Sequence, residues 1–480
     1  LFGRSLVSGR MVSASAPVDI DWDFDTGVVE VVCAEDTTLT LATGSPATDL
    51  TAGRHSLTNA RPEKAARDEL VAWLGEQLAT ASATRKQLIA DRDAQPALDL
   101  PALTEAWTHS VGAEIVDMIT IPQGDETIIA VAADKTVHLL GTDGSAIRSM
   151  DADERIRMVH WWPEHGLLLA GCVDEQVIAF TLSGERKWIF TSEMHPDVYK
   201  AAKTYWFKSA PGHEGIHGLT TGDFIDGESQ CFVGSACTLE IIDGDGQLAK
   251  RLVQFWGKVS HFQFVDGPAG STNLLAARRY NGTNTVAIIN NETLDPTPRG
   301  FYGVPSGHTY VGGWSSMNRD HLMYVDLDGD GVKEVLSEIN GTWNRVTVWD
   351  AKGTPLHDAS FGPGDRIMAK NMRDLDVGDL DGDGKMEIYV ATSAALIVAL
   401  NNECEKLWAT RLSSPPTVLK VVGDAIVVGC ESGMVVTLDG AGKMVNIGQV
   451  DSAPTDITAV GNVVVLATRD GEVKRFSVGG

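Results

Sequence analysis

Apolar runs of strand length recur along this chain from about residue 103 to its end, and each is followed by a turn rich in Gly, Asp or Asn. Such turns fall at Gly144, Gly184, Gly244, Asn291, Asp350, Asn402 and Gly440, and an eighth run, Val473–Val478, ends the chain. Several turns lead into a short strand that ends in Trp, as at Trp188 and Trp408. The eighth run lacks that strand, but Leu103–Trp107 supplies one at the front. A period of about 40–50 residues with four strands per repeat predicts a β-propeller. If the front strand completes the last sheet, the ring closes and loses its exposed edges. The fold class expected is therefore all-β, a β-propeller over 103–480 with blades beginning near 110, 156, 215, 259, 320, 373, 416 and 455. That is eight blades; seven is the alternative, because the third and fifth units carry long insertions.

The pattern differs ahead of the repeats. Val18, Ile20, Trp22 and Phe24 alternate with Asp19, Asp21, Asp23 and Asp25, the period-two signature of a half-buried strand. Residues 1–60 are predicted to form a small, partial β-sandwich-like unit. Residues 61–102 are predicted to hold a helix and linker, with Leu70, Trp73, Leu74, Leu78 and Leu88 on one face and Pro96 and Pro101 as breakers.

Composition narrows the function classes. The 480 residues carry 39 Lys+Arg against 65 Asp+Glu, a formal charge of −26. General nucleic-acid binding needs a basic footprint, so it is disfavoured. No apolar run approaches the roughly 18 residues of a membrane span. The chain opens Leu1-Phe-Gly-Arg4 without Met, so the native start is expected to lie upstream. The cysteines at 33, 172, 231, 237, 404 and 430 include no CxxC pair, which disfavours zinc. Cys172 and Cys430 end matching strands and are read as small packing residues. Trp107, Trp188 and Trp408 occupy repeat positions and are read as blade-packing residues.

Two stretches carry metal chemistry. Asp326, Asp328 and Asp330 alternate before Glu334, and Asp379, Asp381 and Asp383 alternate before Glu387. Ca²⁺ takes about six to eight oxygens, and a glycine-containing turn lets closely spaced carboxylates converge on it. The carbonyls of Val332 and Lys385 fall where a backbone ligand belongs. Glu comes too early for an EF-hand, and strand-length runs flank the loops instead of helices. These Asp-x-Asp-Gly-Asp-Gly-x-x-Glu loops resemble FG-GAP/VCBS-type repeats. The Gly-Glu-x-x-Trp endings resemble the quinoprotein-dehydrogenase-like eight-bladed ring. Together the resemblances span about 103–480 and imply a calcium-binding propeller. The absence of a Cys-Cys pair and of a regular Thr-Gly speaks against a quinone cofactor.

Placed on a propeller, the calcium loops join the first and second strands of their blades. The opposite face gathers His, Arg, Lys and aromatic residues in an otherwise acidic chain. Such a local inversion of charge attracts anions, and aromatic faces beside Arg suit sugar rings bearing carboxylates. The partner expected is an anionic, uronate-containing polysaccharide, and the reaction expected is β-elimination by a secreted or periplasmic lyase, at the level of fold and residue types. In that scheme His217 or His213 is the base and Tyr205, Tyr280 or Tyr310 the acid. Lys208, Arg279, His308, Trp314, Arg319, Trp343, Arg345, Lys370 and Arg373 hold the substrate. The alternative is a non-catalytic glycan-binding or adhesion propeller stabilised by calcium.

Overall fold

The computed structural model describes residues 11–16, 18–33, 35–93, 99–194, 215–279, 286–294, 296–297, 321–340, 343–363, 371–461 and 463–477. From Thr104 onward these residues form antiparallel meanders, each strand hydrogen-bonded to the next in sequence. The first sheet is Ile115–Gln123, Glu126–Ala133, Thr136–Gly141 and Ala146–Asp151; the second is Ile156–Trp162, Leu167–Cys172, Gln176–Thr181 and Arg186–Thr191. A six-stranded third sheet runs from Gly218–Ile225 to Pro296–Thr297. The fourth, fifth and sixth sheets begin at Leu322–Val325, Met372–Gly378 and Pro416–Val422 and have four strands each. The seventh joins Pro454–Val460, Val463–Thr468 and Glu472–Ser477 to Thr104–Ser110. The front strand does complete the last sheet: Arg475 lies opposite Trp107 and Glu472 opposite Ser110.

The third sheet is bent. Its long strand Glu228–Ile242 pairs with Gly218–Ile225 up to Gly234, then with Leu248–Asp266 from Ala236 onward. Just past that change, between Ala236 and Thr238, the register shifts at Cys237, whose φ of +57° breaks a straight strand. Leu248–Asp266 divides in the same way, pairing backward through Val253 and again at Lys258, and forward from Lys258.

Burial follows strand order. Leu167–Cys172 and Glu387–Thr392, second strands of their sheets, are buried along their whole length. Fourth strands such as Ala146–Asp151 are largely exposed. Second strands therefore lack polar alternation, as expected where both sheet faces are covered. Neighbouring sheets share cores: Ile121, Leu139 and Val137 of the first pack with Ile156, Leu168 and Ile178 of the second. The last sheet packs on the first in turn, with Val465, Ala467 and Val473 against Ile115, Ile129 and Val131.

The repeat tryptophans bind sheet to sheet at the periphery, as their positions predict. The indole N–H of Trp107 donates to Thr142 O at 3.0 Å, that of Trp188 to Gly244 O at 2.9 Å and that of Trp408 to Gly440 O at 2.9 Å. Each ring rests on a turn glycine of the following sheet, Gly144, Gly246 or Gly442, with φ of +82°, +76° and +80°. A Cβ at any of the three would stand 2.6 Å from the indole. Cys172 and Cys430 are buried among aliphatic side chains, as expected for packing residues.

Ahead of the propeller strands lie two three-stranded sheets. Val12–Ala14, Thr37–Leu41 and Thr48–Leu50 form one; Val18–Asp23, Val28–Cys33 and Gly53–Leu57 form the other. They enclose Val29, Val31, Leu39 and Leu50 together with Leu70 of the helix Lys64–Asp93. The segment after the helix reaches the sixth sheet, where Leu103 N donates to Ile447 O at 2.8 Å and Ile447 N to Pro101 O at 2.9 Å.

Gly442→Ala is expected to cost roughly 2–4 kcal/mol through left-handed strain plus collision with Trp408. Gly461→Ala has the strain without the collision, since nothing lies within 4 Å of its Cβ position, and should cost about 1 kcal/mol. Equilibrium urea unfolding of both variants checks the difference.

Candidate metal loops and the opposite face

Both acidic loops are hairpins between the first and second strands of their sheets. Val325 is paired with Glu334 and Gly378 with Glu387, so the closing Glu begins the second strand in each case. The loops share one internal scaffold. Asp326 Oδ1 and Oδ2 accept from Gly329 N at 2.8 Å and Gly331 N at 2.9 Å; Asp379 accepts from Gly382 N at 2.7 Å and Gly384 N at 3.0 Å. Asp328 and Asp381 accept from the amides two residues on, Asp330 N at 3.1 Å and Asp383 N at 3.0 Å. Glu334 accepts from Leu327 N and Glu387 from Leu380 N, both at 2.9 Å. The glycines at 329, 331, 382 and 384 all have positive φ, which lets the chain curl around its own carboxylates.

In the second loop, single oxygens of Asp379, Asp381, Asp383 and Glu387 all lie within 4.8 Å of one another. Four carboxylates at that spacing repel strongly, and burial first and the neighbouring Asp charges after it hold Glu387 above the usual carboxylate range. Glu334 is raised for the same reasons. The donor set is all oxygen and all anionic, which fits a hard divalent cation. In the first loop the cluster is Asp326, Asp328 and Glu334. Asp330 is not part of that cluster; its Oδ1 accepts from Val332 N at 2.7 Å, as Asp383 Oδ1 accepts from Lys385 N at 2.8 Å. The loops also touch. Met386 N donates to Leu327 O at 2.9 Å, and a Cβ on Gly329 would come within 2.5 Å of Gly384 O.

Of the residues expected on the opposite face, His213, Tyr205, Tyr280, Tyr310, Lys208, His308, Trp314, Arg319 and Lys370 lie outside the described residues. Arg279 ends the strand Thr272–Arg279 opposite Lys258, and Trp343 begins Trp343–Trp349 opposite Pro363. His217 precedes the first strand of the third sheet. Arg157 of the second sheet donates to its Nδ1 at 2.7 Å and to Ile216 O at 2.9 Å. Arg345 pairs with Asp358 at 2.9 Å and Arg373 with Glu431 at 3.2 Å. These described cations are thus held by partners and not spread as a bare positive field.

His321, which starts the fourth sheet's first strand, lies between Asp374 at 2.9 Å and Glu338 at 3.3 Å. Glu338 also accepts from His321 N at 3.0 Å and is almost fully buried. Burial by itself pulls the imidazole down, but the charges and hydrogen bonds of Glu338 and Asp374 outweigh it and raise it to about 10. Asn340, fully buried beside Glu338, accepts from Met372 N at 2.7 Å, and Asn371 donates to Asn344 at 3.1 Å. This network links the fourth sheet to the fifth.

A set of inner-strand aspartates lies outside any loop motif. Asp117 accepts from Val159 N at 2.7 Å, Asp374 from Leu419 N at 2.6 Å and Asp456 from Met118 N at 2.7 Å, each reaching the first strand of the following sheet. Their signal is a repeated apolar-x-Asp-apolar tetrad, Ile115-Val-Asp-Met118, Met372-Arg-Asp-Leu375 and Pro454-Thr-Asp-Ile457. It is visible only once the inner strands have been aligned.

The FG-GAP-like repeat family matches residues 326–390, which span both acidic loops. No curated protein sequence matches the chain. Solved structures match its shape. The Dos1 propeller superposes with a TM-score of 0.56 at 10% identity over 79% of this chain and 95% of its own. Sqt1 of Saccharomyces cerevisiae does so with 0.58 at 12% identity over 79% and 100%, and the computationally designed Ika8 protein with 0.55 at 16% over 79% and 100%. At such identities the likeness is one of fold, a β-propeller. Among the described residues, no helix is long and apolar enough to cross a membrane.

His321 has a folded-state pKa raised from 6.5 to about 10. Its contribution to stability is therefore fully present below about 6.5 and is lost as pH rises through about 10. Thermal melts from neutrality to beyond pH 10 should show a steeper decline for the parent than for His321→Gln, which is less stable at neutrality.

Proposed function

We propose that this β-propeller, with its FG-GAP-like repeat, is a calcium-stabilised binding module for an anionic, uronate-containing polysaccharide that works outside the cytosol. The observation that carries the metal assignment is the cage of Asp379, Asp381, Asp383 and Glu387. Calcium accepts many oxygens in flexible geometry, whereas zinc prefers His and Cys, and magnesium keeps most of its water. The carbonyls of Lys385 and Val332 are the natural additional ligands. A bound ion neutralises the carboxylates that repel one another and fixes two adjoining hairpins. Loops this open suit the weak calcium sites of extracellular modules, on the order of 10⁻⁴–10⁻³ M. The same proposal counts eight blades, because the long strand of the bent third sheet changes partner between Gly234 and Ala236, and the sheet supplies two runs of four strands.

Glycan binding is supported by the donors at the strand ends away from the loops, namely Arg157, His217, Arg345 and Arg373. Guanidinium groups already oriented by Asp358 and Glu431 present fixed donors, which suits recognition of carboxylates and hydroxyls. Binding is favoured over chemistry because the described basic groups are committed to partners. A lyase is the second reading, and the contact between Arg157 and His217 favours it. A guanidinium only donates, so the imidazole nitrogen facing it accepts. The arginine keeps that ring neutral, and on turning to a substrate carboxylate it would release the accepting nitrogen to take the adjacent proton, with His213 or a tyrosine at 205, 280 or 310 completing the acid–base set.

Calcium added to chelated protein should raise the melting temperature; an ion at 100 times its Kd adds about 2.7 kcal/mol. Asp381→Ala should abolish most of that gain, while Asp330→Ala, outside the cluster, should keep more of it. An unchanged melt on chelation would remove the metal assignment.

Arg345→Ala should weaken binding to an acidic polysaccharide about tenfold or more, yet lower stability by at most about 1 kcal/mol, because its pair with Asp358 is partly exposed. Titration against a panel of such polymers, with ultraviolet absorbance followed for unsaturated uronate, separates the readings. Binding at constant absorbance supports the module, rising absorbance supports the lyase, and no binding to any polymer removes both.

A further inference from the structure

The first and last sheets meet along their inner strands, Ile115–Gln123 and Pro454–Val460. At that seam a single amide serves two carboxyl groups. Met118 N donates to Asp456 Oδ2 at 2.7 Å and to Asp117 Oδ1 at 3.1 Å. The remaining oxygens are engaged too, Asp117 Oδ2 by Val159 N at 2.7 Å and Asp456 Oδ1 by Ile457 N at 2.7 Å. Two carboxyl groups converging on one N–H cannot both carry full charge without a counterion, since like charges this close repel. Among the described residues, the cations of the neighbouring elements are engaged elsewhere. Arg157 on Ile156–Trp162 is turned to Ile216 O and His217, and Lys420 on Pro416–Val422 is paired with Asp376 at 3.0 Å. Asp374 on Met372–Gly378 adds a third negative charge, and its own cation, His321, is bound to it at 2.9 Å.

We propose that Asp117 and Asp456 share one proton at neutral pH and act as a pH-sensitive latch that holds the first and last sheets together. Protonated, the pair ties the sheets through a carboxyl–carboxylate hydrogen bond beside the common amide. Deprotonated, it drives the inner strands apart at the one place where the two ends of the repeat array meet. Burial pushes Asp117 up to about 6, against the pull of the Val159 and Met118 amides. Burial and the charge of Asp117 push Asp456 further above the usual carboxylate range. For acids raised in this way, the favourable contribution is fully present below the ordinary value of 3.8 and is lost as pH rises through the folded-state values, about 6 for Asp117 and higher for Asp456.

The test compares the parent with Asp117→Asn, whose side-chain amide can donate permanently to Asp456. Melting temperatures are measured from pH about 5 to about 9. The parent is expected to lose several degrees more than the variant across that range, because every other titrating group is common to both. Parallel profiles would overturn the latch. A second measurement needs no variant. Infrared spectra of the intact protein at neutral pH should contain the carbonyl stretch of a protonated, buried carboxyl group, which bleaches as pH is raised. Absence of that band would also overturn the proposal, even if Asp117→Asn does not fold. Asp456→Asn should remove the band, and its persistence there would assign the proton elsewhere.

Discussion

Inner strands of successive sheets run side by side without a backbone ladder between them, and buried or half-buried carboxylates take the place of that ladder. Asp117, Asp374, Asp376 and Asp456 each accept an amide of the next sheet's inner strand, at 2.6–2.9 Å. A backbone N–H left unpaired in the interior is costly, so these contacts satisfy the strand edges and set the spacing of the sheets together. Between the fourth and fifth sheets the same position is filled by His321 bound to Asp374, so the link becomes an ion pair. At the rim, Trp107, Trp188 and Trp408 complete the arrangement by hydrogen-bonding to turns of the following sheet. The sheets are thus held at the axis by polar contacts, between by aliphatic cores and at the rim by indoles.

That architecture explains where chemistry collects. A hairpin between first and second strands leaves the sheet close to the axis, and two such hairpins in adjacent sheets are brought into contact, Met386 N on Leu327 O. Their carboxylates are concentrated by glycines with positive φ, which a chain of side-chain-bearing residues would resist. The described groups at the opposite strand ends are held by partners, Arg345 by Asp358, Arg373 by Glu431 and His217 by Arg157. Anionic loops thus lie at one set of strand ends and cationic groups at the other, although the chain as a whole is acidic.

Much of this was legible in the linear chain. The four-strand period, the front strand that completes the last sheet, the stacking tryptophans and the twin acidic hairpins all follow from local patterns. A turn glycine, an apolar run and alternating carboxylates are each read within about ten residues. Which carboxylates converge within 4.8 Å was not legible, because Asp330 and Asp383 share both their spacing and their hydrogen bond to the amide two residues on, yet only Asp383 joins its cluster. Nor was the pairing of Arg345 with Asp358 or of Arg373 with Glu431, partners 13 and 58 residues away.

Sequence by itself therefore determined the repeat, the order of strands and the composition of each loop, since these depend on interactions between near neighbours. Tertiary structure alone decided which charges meet. Asp117 and Asp456 stand 339 positions apart and come together because the ring returns upon itself. Their electrostatics depend on burial and on a neighbour supplied by the other end of the chain, and no local pattern encodes either.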